Sequence, residues 1–260
     1  MTAASLTERI AAAGLDWIVP DWSAPRDVMA FSTSRTVDGA QVSATAQDDA
    51  MREAAVRDAT AGDALAAALA SWLPAPPRWL KQVHGATVHD AYAQAPAAPP
   101  RADAIVARAV DVVCAIQTAD CLPLLFTDRS GSIVGGAHAG WRGLAAGVIE
   151  ATLAAMRVEP RDVLAWIGPG IGPRVYQVGA DVRDAHCAAD AGADACFAPV
   201  APTKWLADLR AIALRRLERA GVASIAGAAR CTFSESASFH SFRRDGACAG
   251  RMATLIWRAA

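Results

Sequence analysis

The sequence predicts an α/β fold, a layered sandwich with a mixed β-sheet in a single domain. Short apolar stretches typical of strands alternate along the chain with Ala-rich stretches whose apolar residues recur at helical spacing. Prolines cluster at 74–77 and 95–100, but strand-like stretches that need a common sheet flank each cluster, so neither is a domain linker. With 260 residues, 53% of them hydrophobic and 20% charged, the chain is typical of compact globular proteins. We therefore expect one domain over residues 1–260, with residues 1–20 as its N-terminal extension.

The predicted strands and helices follow in a regular order. A strand is expected over residues 27–33, and a helix over about 62–72 that the prolines after it terminate. Four apolar runs then predict further strands, namely RWLKQVHG, ADAIVAR, DVVCAIQTADCLPLLF and SIVGGAHA. The stretch 143–156 predicts a helix, and DVLAWIGPGIGP predicts a strand that ends in a glycine-proline loop. A last amphipathic helix is expected over residues 204–221.

Charge and composition exclude several classes of partner. A formal net charge of −1 offers no field for a polyanion, so we expect small-molecule substrates and no nucleic acid. No run approaches the roughly 18 uninterrupted apolar residues of a membrane helix, and the amino terminus lacks the pattern of a secretory signal. Six irregularly spaced cysteines do not form a disulfide framework in a chain of this length. We therefore expect a cytoplasmic protein without a membrane partner.

Three side chains are suited to a soft divalent metal. His84, Cys121 and His138 each lie where a strand-like run meets a glycine or a proline, a position that points side chains into a cleft. Three protein ligands leave the fourth tetrahedral position of zinc open, as in catalytic zinc sites, where bound water ionises near neutral pH. Their spacing matches no short metal motif, and each residue singly is as typical of ordinary core packing.

Longer motifs favour the metal site. QVHG, TADCLPLL, GAHAGWRG, WIGPGIGPRVYQVG and SFRRDGACAGRMATLIW together resemble the YfiH family of laccase-domain proteins, once labelled multicopper polyphenol oxidases. The resemblance runs from about Asp21 to Trp257 and implies an α/β sandwich with zinc held by His84, Cys121 and His138. It also implies an enzyme, usually a monomer, that cleaves adenosine, inosine, guanosine or methylthioadenosine with phosphate. The same site in this family deaminates adenosine.

Each implied reaction needs further residues. Deamination needs a proton carrier, and because the HxE…PCxxC signature of cytidine deaminases is absent, we expect Asp120, beside Cys121, to serve. Phosphate binding is expected where HAGWRG opens a helix, since free N–H groups and a dipole end attract anions. The arginines that could grip the phosphate are Arg35, Arg142, Arg243 and Arg244. Structural roles, a backbone contact for Asp120 and salt bridges for the arginines, are the alternatives.

Two side chains are candidates for contacts with the nucleoside itself. Gln82 shares a strand face with His84 and could hydrogen-bond a base, and Trp141 could stack on a purine or be a core aromatic. The chain departs from the family at Gln177, where a glutamate is usual, and in the altered loop 36–50, which covers one side of the expected site.

Other functions remain open from the sequence. A copper-dependent polyphenol oxidase would need a three-copper cluster, for which only His89, His186 and His240 remain. A cysteine or zinc amidohydrolase, with Cys121 as nucleophile and His138 as base, would suit editing of a peptidoglycan precursor such as a UDP-muramyl amino acid. A zinc- or nucleoside-binding module without turnover is the third alternative.

Overall fold

A computed structural model describes residues 3–37, 40–41 and 65–260. Its main sheet has six strands, Val88–Ala91 (β4), Ala104–Ala107 (β5), Leu122–Asp128 (β7), Val134–Ala139 (β8), Val163–Ile167 (β9) and Ser224–Ala226 (β13). They lie in the order β13-β9-β7-β8-β5-β4. The outer pairs β4–β5 and β9–β13 are parallel and the inner pairs antiparallel, so the predicted α/β fold with a mixed sheet is confirmed.

Three smaller sheets complete the strand structure of the described residues. Val28–Ser32 (β1), Cys114–Thr118 (β6) and Met252–Arg258 (β14) form an antiparallel sheet in the order β1-β14-β6. Gln177–Gly179 (β10), Phe197–Ala201 (β11) and Lys204–Ala207 (β12) form another, in the order β10-β12-β11. Thr36–Val37 (β2) pairs with Ala40–Gln41 (β3).

The helices lie at Ala3–Ala12 (α1), 65–69 (α2), Trp141–Ala146 (α3), Val148–Met156 (α4), Ala180–Ala189 (α5), Leu209–Arg219 (α6) and Phe242–Asp245 (α7). Residues 62–64 of the helix predicted at 62–72, and most of the altered loop 36–50, fall outside the described residues. No helix in the described part of the chain is long and apolar enough to cross a bilayer.

Alternating side chains divide the fold into layers. In β1, Val28 and Ala30 face a core shared with Ile105 and Leu125 of the six-stranded sheet. The opposite face of β1 packs in a second core with Leu6 of α1 and Leu65 and Leu69 of α2. A third core lies between the far face of the six-stranded sheet and helices α4 and α6. Because β5, β7, β8 and β9 are covered on both faces, their sequences read as continuous apolar runs.

Three predicted elements differ from the structure. The run RWLKQVHG, residues 78–85, forms no strand and pairs only through the isolated bridges Arg78↔Cys114 and Lys81↔Arg101, so Gln82 and His84 do not share a strand face. The helix expected over 204–221 begins only at Leu209, because Asp208 caps it, its side chain accepting a hydrogen bond from Ala211 N at 2.9 Å. Residues 204–207 instead form β12, held between two antiparallel neighbours. The helix expected from residue 143 is two helices, α3 and α4, because Gly147 has φ of 89° and interrupts the run.

A buried carboxylate organises the turn between β7 and β8. Asp128, which is 5% exposed, accepts hydrogen bonds from the Ser130 hydroxyl, from Ser132 Oγ at 3.0 Å and from Ile133 N at 3.1 Å. Burial acts to raise the pKa of Asp128, but the hydrogen bonds from Ser130, Ile133 and Ser132 outweigh it and lower that pKa. The ionised carboxylate therefore stabilises the folded state.

We expect Asp128→Asn to reduce the free energy of unfolding at pH 7 by about 1–3 kcal/mol, because charge-assisted hydrogen bonds are lost. The folded pKa of Asp128 is lowered, so its contribution is present above the unfolded pKa of about 3.9 and disappears as pH falls through the folded pKa. Urea unfolding of both proteins at pH 7 and pH 3.5 measures this. An equal difference in stability at the two pH values would contradict the assignment.

Candidate metal centre

Three distant segments bring their metal-binding atoms together. The ligand atoms of His84, Cys121 and His138 all lie within 4.8 Å of one another, and the two imidazole rings are 4.7 Å apart in an edge arrangement. His138 is buried in β8, Cys121 is half-buried just before β7, and His84 is exposed in a loop. The cluster is therefore anchored on the sheet and open to solvent on the side of His84.

Backbone geometry explains how Cys121 reaches His138. The chain leaves β6 in the three-stranded sheet and enters β7 in the six-stranded sheet through a turn in which Asp120 has φ of 97°. In the ladder, Pro123 pairs with His138 and Leu122 with Ala139, so the residue before β7 lies beside Gly140.

Two glycines of the HAGWRG motif allow this close packing. A Cβ atom on Gly140 would lie 2.7 Å from Cys121 Sγ and 3.4 Å from His84 Cδ2. A Cβ atom on Gly143 would lie 3.1 Å from the carbonyl oxygen of Gly85. Side chains at these two positions would displace the metal-binding residues.

Asp103 holds the two histidines in place, although the sequence did not identify it. The fully buried carboxylate accepts hydrogen bonds from Val83 N at 3.1 Å, His84 N at 2.8 Å and Gly85 N at 2.7 Å. It also contacts His138 Nδ1 at 2.9 Å, which leaves His138 Nε2 for the cluster. These bonds hold His84 in a left-handed conformation with φ of 61°. The signal in the sequence was an acidic residue inside the apolar run ADAIVAR.

The cluster also shifts the protonation of its members. Burial acts to raise the pKa of the Cys121 thiol, but the charge and hydrogen bond of His138, aided by His84, outweigh burial and lower that pKa to about 6. Burial acts to lower the pKa of His138, but the Cys121 thiolate and the Asp103 carboxylate outweigh it and raise that pKa to about 9. Cys121 is thus stabilised as the thiolate, the form that binds metals.

The donor set fits a divalent metal ion. Two imidazoles and one thiolate are typical zinc and copper ligands, and three protein ligands leave a coordination position open. In the described ranges, which include all five histidines, this is the only cluster of three or more His, Cys, Asp or Glu side chains placed to hold a metal.

A cavity of about 280 Å³ opens beside the cluster. Besides the three candidate ligands, its wall includes both apolar and polar side chains. These are Leu80, Ala119, Ile171, Tyr176, Phe242, Gln82, Gln117, Thr118, Asp120, Arg243 and Arg251. Of these, only Gln82, Asp120 and Arg243 had been predicted as site residues, because nothing in the local pattern shows which residues face a cavity.

Two predicted site residues lie in this wall with their polar atoms engaged. Asp120 Oδ1 accepts a hydrogen bond from Thr232 Oγ1 at 2.7 Å, and Oδ2 accepts one from Arg243 N at 2.6 Å. Gln82 Nε2 donates to the carbonyl of Gln117 at 2.8 Å, while Gln82 Oε1 accepts from Gln117 N at 2.9 Å. The Gln82 side chain therefore continues the hydrogen bonding of the three-stranded sheet beyond its edge strand, β6.

Only one of the four predicted phosphate-binding arginines lines the cavity. Arg243 does so, with its guanidinium 5.0 Å from the Tyr176 ring and Nη1 donating to the carbonyl of Gln177 at 3.1 Å. Arg35 donates to the carbonyl of Ser236 at 2.6 Å. Arg251 is a second cavity arginine.

The remaining candidates have structural partners outside the cavity wall. Arg244 donates to three backbone carbonyls in 232–239 and pairs with Asp245 at 2.7 Å. Arg142 lies over the ring of Trp141 at 4.3 Å, and Trp141 is partly buried against the core beneath the six-stranded sheet. A role of Arg35, Arg142, Arg244 or Trp141 in binding substrate stays a prediction.

Asp103→Asn tests whether this carboxylate positions the ligands. An amide offers one acceptor oxygen to four donors, so we expect the zinc dissociation constant to rise about 10- to 100-fold. Competition with a chromophoric chelator measures the change. Asp128→Asn is the matched control, since it alters another buried, hydrogen-bonded carboxylate and should leave zinc affinity unchanged. Wild-type zinc affinity in Asp103→Asn would show that the carboxylate has no such role.

Comparison with known proteins places the chain in a family. A family model described as "Multi-copper polyphenol oxidoreductase laccase" matches residues 32–259. Over 251 residues, 93% of this chain and 98% of the relative, the chain is 45% identical to a purine nucleoside phosphorylase of Pseudomonas aeruginosa. It is 43% identical to purine nucleoside phosphorylase YfiH of Escherichia coli over 249 residues, which cover 92% of this chain and 98% of that relative.

Solved structures agree with this assignment. The crystal structure of a Neisseria meningitidis protein superposes with a TM-score of 0.78 at 38% identity. The match covers 94% of this chain and 100% of the Neisseria chain. The crystal structure of YlmD from Geobacillus stearothermophilus superposes with a TM-score of 0.74 at 28% identity. That match covers 90% of this chain and 93% of YlmD. The resemblance in the sequence motifs is thereby confirmed, and the chain belongs to the laccase-domain family that includes the YfiH proteins.

Proposed function

We propose that this protein is a zinc-dependent purine nucleoside phosphorylase that also deaminates adenosine. The observation that carries the proposal is the cluster of His84, Cys121 and His138, open on one side to a cavity with arginines in its wall. Relatives at 45% and 43% identity are named purine nucleoside phosphorylases, which supports the same substrate class here.

Zinc suits this site better than the copper of the family description. A multicopper oxidase needs a further three-copper cluster rich in imidazole, and the described ranges contain one candidate metal cluster only. His186 and His240 are buried, and burial followed by a nearby arginine lowers the pKa of each to about 4. They are therefore neutral, but neither belongs to a group of metal ligands.

The substrates occupy the cavity beside the metal centre. In phosphorolysis, an oxygen of hydrogen phosphate forms a bond to the anomeric carbon of ribose while the bond to the purine nitrogen breaks, and the proton that the phosphate gives up goes to the leaving base. Arg243 and Arg251 are the cationic side chains in the cavity wall, and we assign them to the phosphate. When bound, zinc supplies a Lewis acid and makes water a better nucleophile at neutral pH, which deamination requires.

Asp120 contributes chiefly by positioning. Its two oxygens already accept hydrogen bonds from Thr232 and from the backbone of Arg243. Because Asp120 is the residue before Cys121, its carboxylate fixes the segment of Arg243 next to the metal centre. We assign it this role in place of the proton transfer expected from the sequence.

A cysteine amidohydrolase is the second candidate, and one observation favours it. The ligand atoms of Cys121 and His138 lie within 4.8 Å of each other, and against the effect of burial His138 lowers the pKa of the thiol, as the base of a nucleophilic cysteine would. Zinc bound to this pair would shield the thiolate. Alkylation of Cys121 at full stoichiometry in zinc-loaded protein would favour the amidohydrolase, and protection by zinc would support the nucleoside enzyme.

Incubation of zinc-loaded protein with adenosine tests the proposal. We expect adenine and ribose 1-phosphate when phosphate is present, and inosine in its absence, both followed by chromatography. Cys121→Ala should lower both rates at least about 100-fold, because both reactions need the metal centre and the centre loses one of its three ligands.

Cys248→Ala is the control for that variant, since Cys248 is an exposed cysteine outside the cavity wall and its loss should change neither rate. Unchanged adenosine in the presence of zinc-loaded wild type would refute the proposed function. Loss of one reaction alone in Cys121→Ala would show that the two do not share a centre.

A further inference from the structure

Phe242 is an aromatic side chain that the fold itself does not use. It is 55% exposed, although it lies in the wall of the cavity beside the metal centre. In the described part of the chain it belongs to none of the three hydrophobic cores and to none of the close aromatic pairs. Since aromatic side chains bury large areas when they stabilise a fold, an exposed ring in a cavity is suited to a ligand.

The other exposed large apolar side chains of the described residues do not share this position. They are Val83, Tyr92, Val110 and Val200, and none of them lines the cavity. Phe242 thus combines exposure with a place in the cavity wall.

Hydrogen bonds on both sides of Phe242 fix its backbone. The preceding residue, Ser241, caps α7 by accepting a hydrogen bond from Arg244 N at 3.2 Å. The following residue, Arg243, donates its backbone N–H to Asp120 Oδ2 at 2.6 Å. Because Asp120 precedes Cys121, the backbone of Phe242 is held at a set position relative to the metal ligands. A backbone that is fixed before the ligand arrives loses little entropy on binding.

The chemistry of the cavity wall has three parts. The metal ligands form one, the cationic Arg243 and Arg251 form the second, and the exposed ring of Phe242 with the apolar Leu80 forms the third. A purine nucleoside and phosphate present matching parts: a reacting centre, an anion and a flat heteroaromatic base.

We propose that Phe242 stacks on the purine base of the bound nucleoside. The inference rests on the proposed function and adds the residue that selects the base. Stacking strengthens with the area of the rings, so Phe242 favours purine over pyrimidine nucleosides. It takes the role that the sequence suggested for Trp141.

Two substitutions separate stacking from packing. Phe242→Leu removes the ring and keeps an apolar side chain, whereas Phe242→Tyr keeps the ring. We expect Phe242→Leu to raise the KM for adenosine and the dissociation constant of inosine, measured without phosphate, about tenfold. The KM for phosphate and the melting temperature should stay at wild-type values, and Phe242→Tyr should bind inosine like the wild type.

Tyr92→Leu is the matched control, because Tyr92 is an exposed aromatic, 71% exposed, outside the cavity wall. It should change none of these quantities. Wild-type affinity for inosine in Phe242→Leu would overturn the inference. So would an equal loss of affinity in Phe242→Tyr, since that result would point to shape and not to stacking.

Equilibrium dialysis with inosine in the absence of phosphate, where neither proposed reaction consumes it, separates this inference from the proposed function. If wild type binds inosine but converts neither nucleoside, the proposed function fails, and a tenfold weaker affinity in Phe242→Leu still supports stacking. If wild type turns adenosine over and Phe242→Leu does so with the same KM, the function stands and the inference fails. No binding of inosine to wild type would overturn the inference.

Discussion

The buried carboxylate of Asp103 is the contact on which the arrangement of the site depends. It collects three successive backbone N–H groups from 83–85 and the imidazole of His138, and it does so at the start of β5. A buried charge of this kind is tolerated only when hydrogen bonds compensate it, so its four donors are fixed in number and direction. One residue thereby sets the conformation of the loop that carries His84 and the ring orientation of His138.

The site also lies where the chain passes from the three-stranded sheet to the six-stranded sheet. Residues 119–121 lead from β6 of the three-stranded sheet to β7 of the six-stranded sheet, with Asp120 in the left-handed region. A turn between two rigid sheets presents Cys121 from a well-supported backbone, and the contacts of Asp120 with Thr232 and Arg243 add the third side of the cavity. The same carboxylate therefore links the metal centre to the segment that carries Phe242.

Local patterns predicted the apolar strands but not where the chain turns or what each residue faces. DVVCAIQTADCLPLLF reads as one run because both β6 and β7 are covered on both faces, and only the tertiary structure assigns them to different sheets. Residues 204–207 continue the apolar spacing of α6, but strand pairing decides their conformation. Trp141 and Phe242 both lie in distinctive motifs, and burial, which no local pattern encodes, separates them.

Charge balance favours a site that holds a divalent metal ion over a site made of side chains alone. The cluster and its support carry two anionic groups in or near the protein interior, the Cys121 thiolate and the Asp103 carboxylate. Two neutral imidazoles bring no charge, so an ion of charge +2 neutralises the group as a whole. Within the chain, and against the effect of burial, the charge and hydrogen bond of His138, aided by His84, lower the pKa of Cys121 to about 6, while Cys121 and Asp103 raise that of His138 to about 9. The residues around Cys121 thus hold it as the thiolate, the form that binds metals.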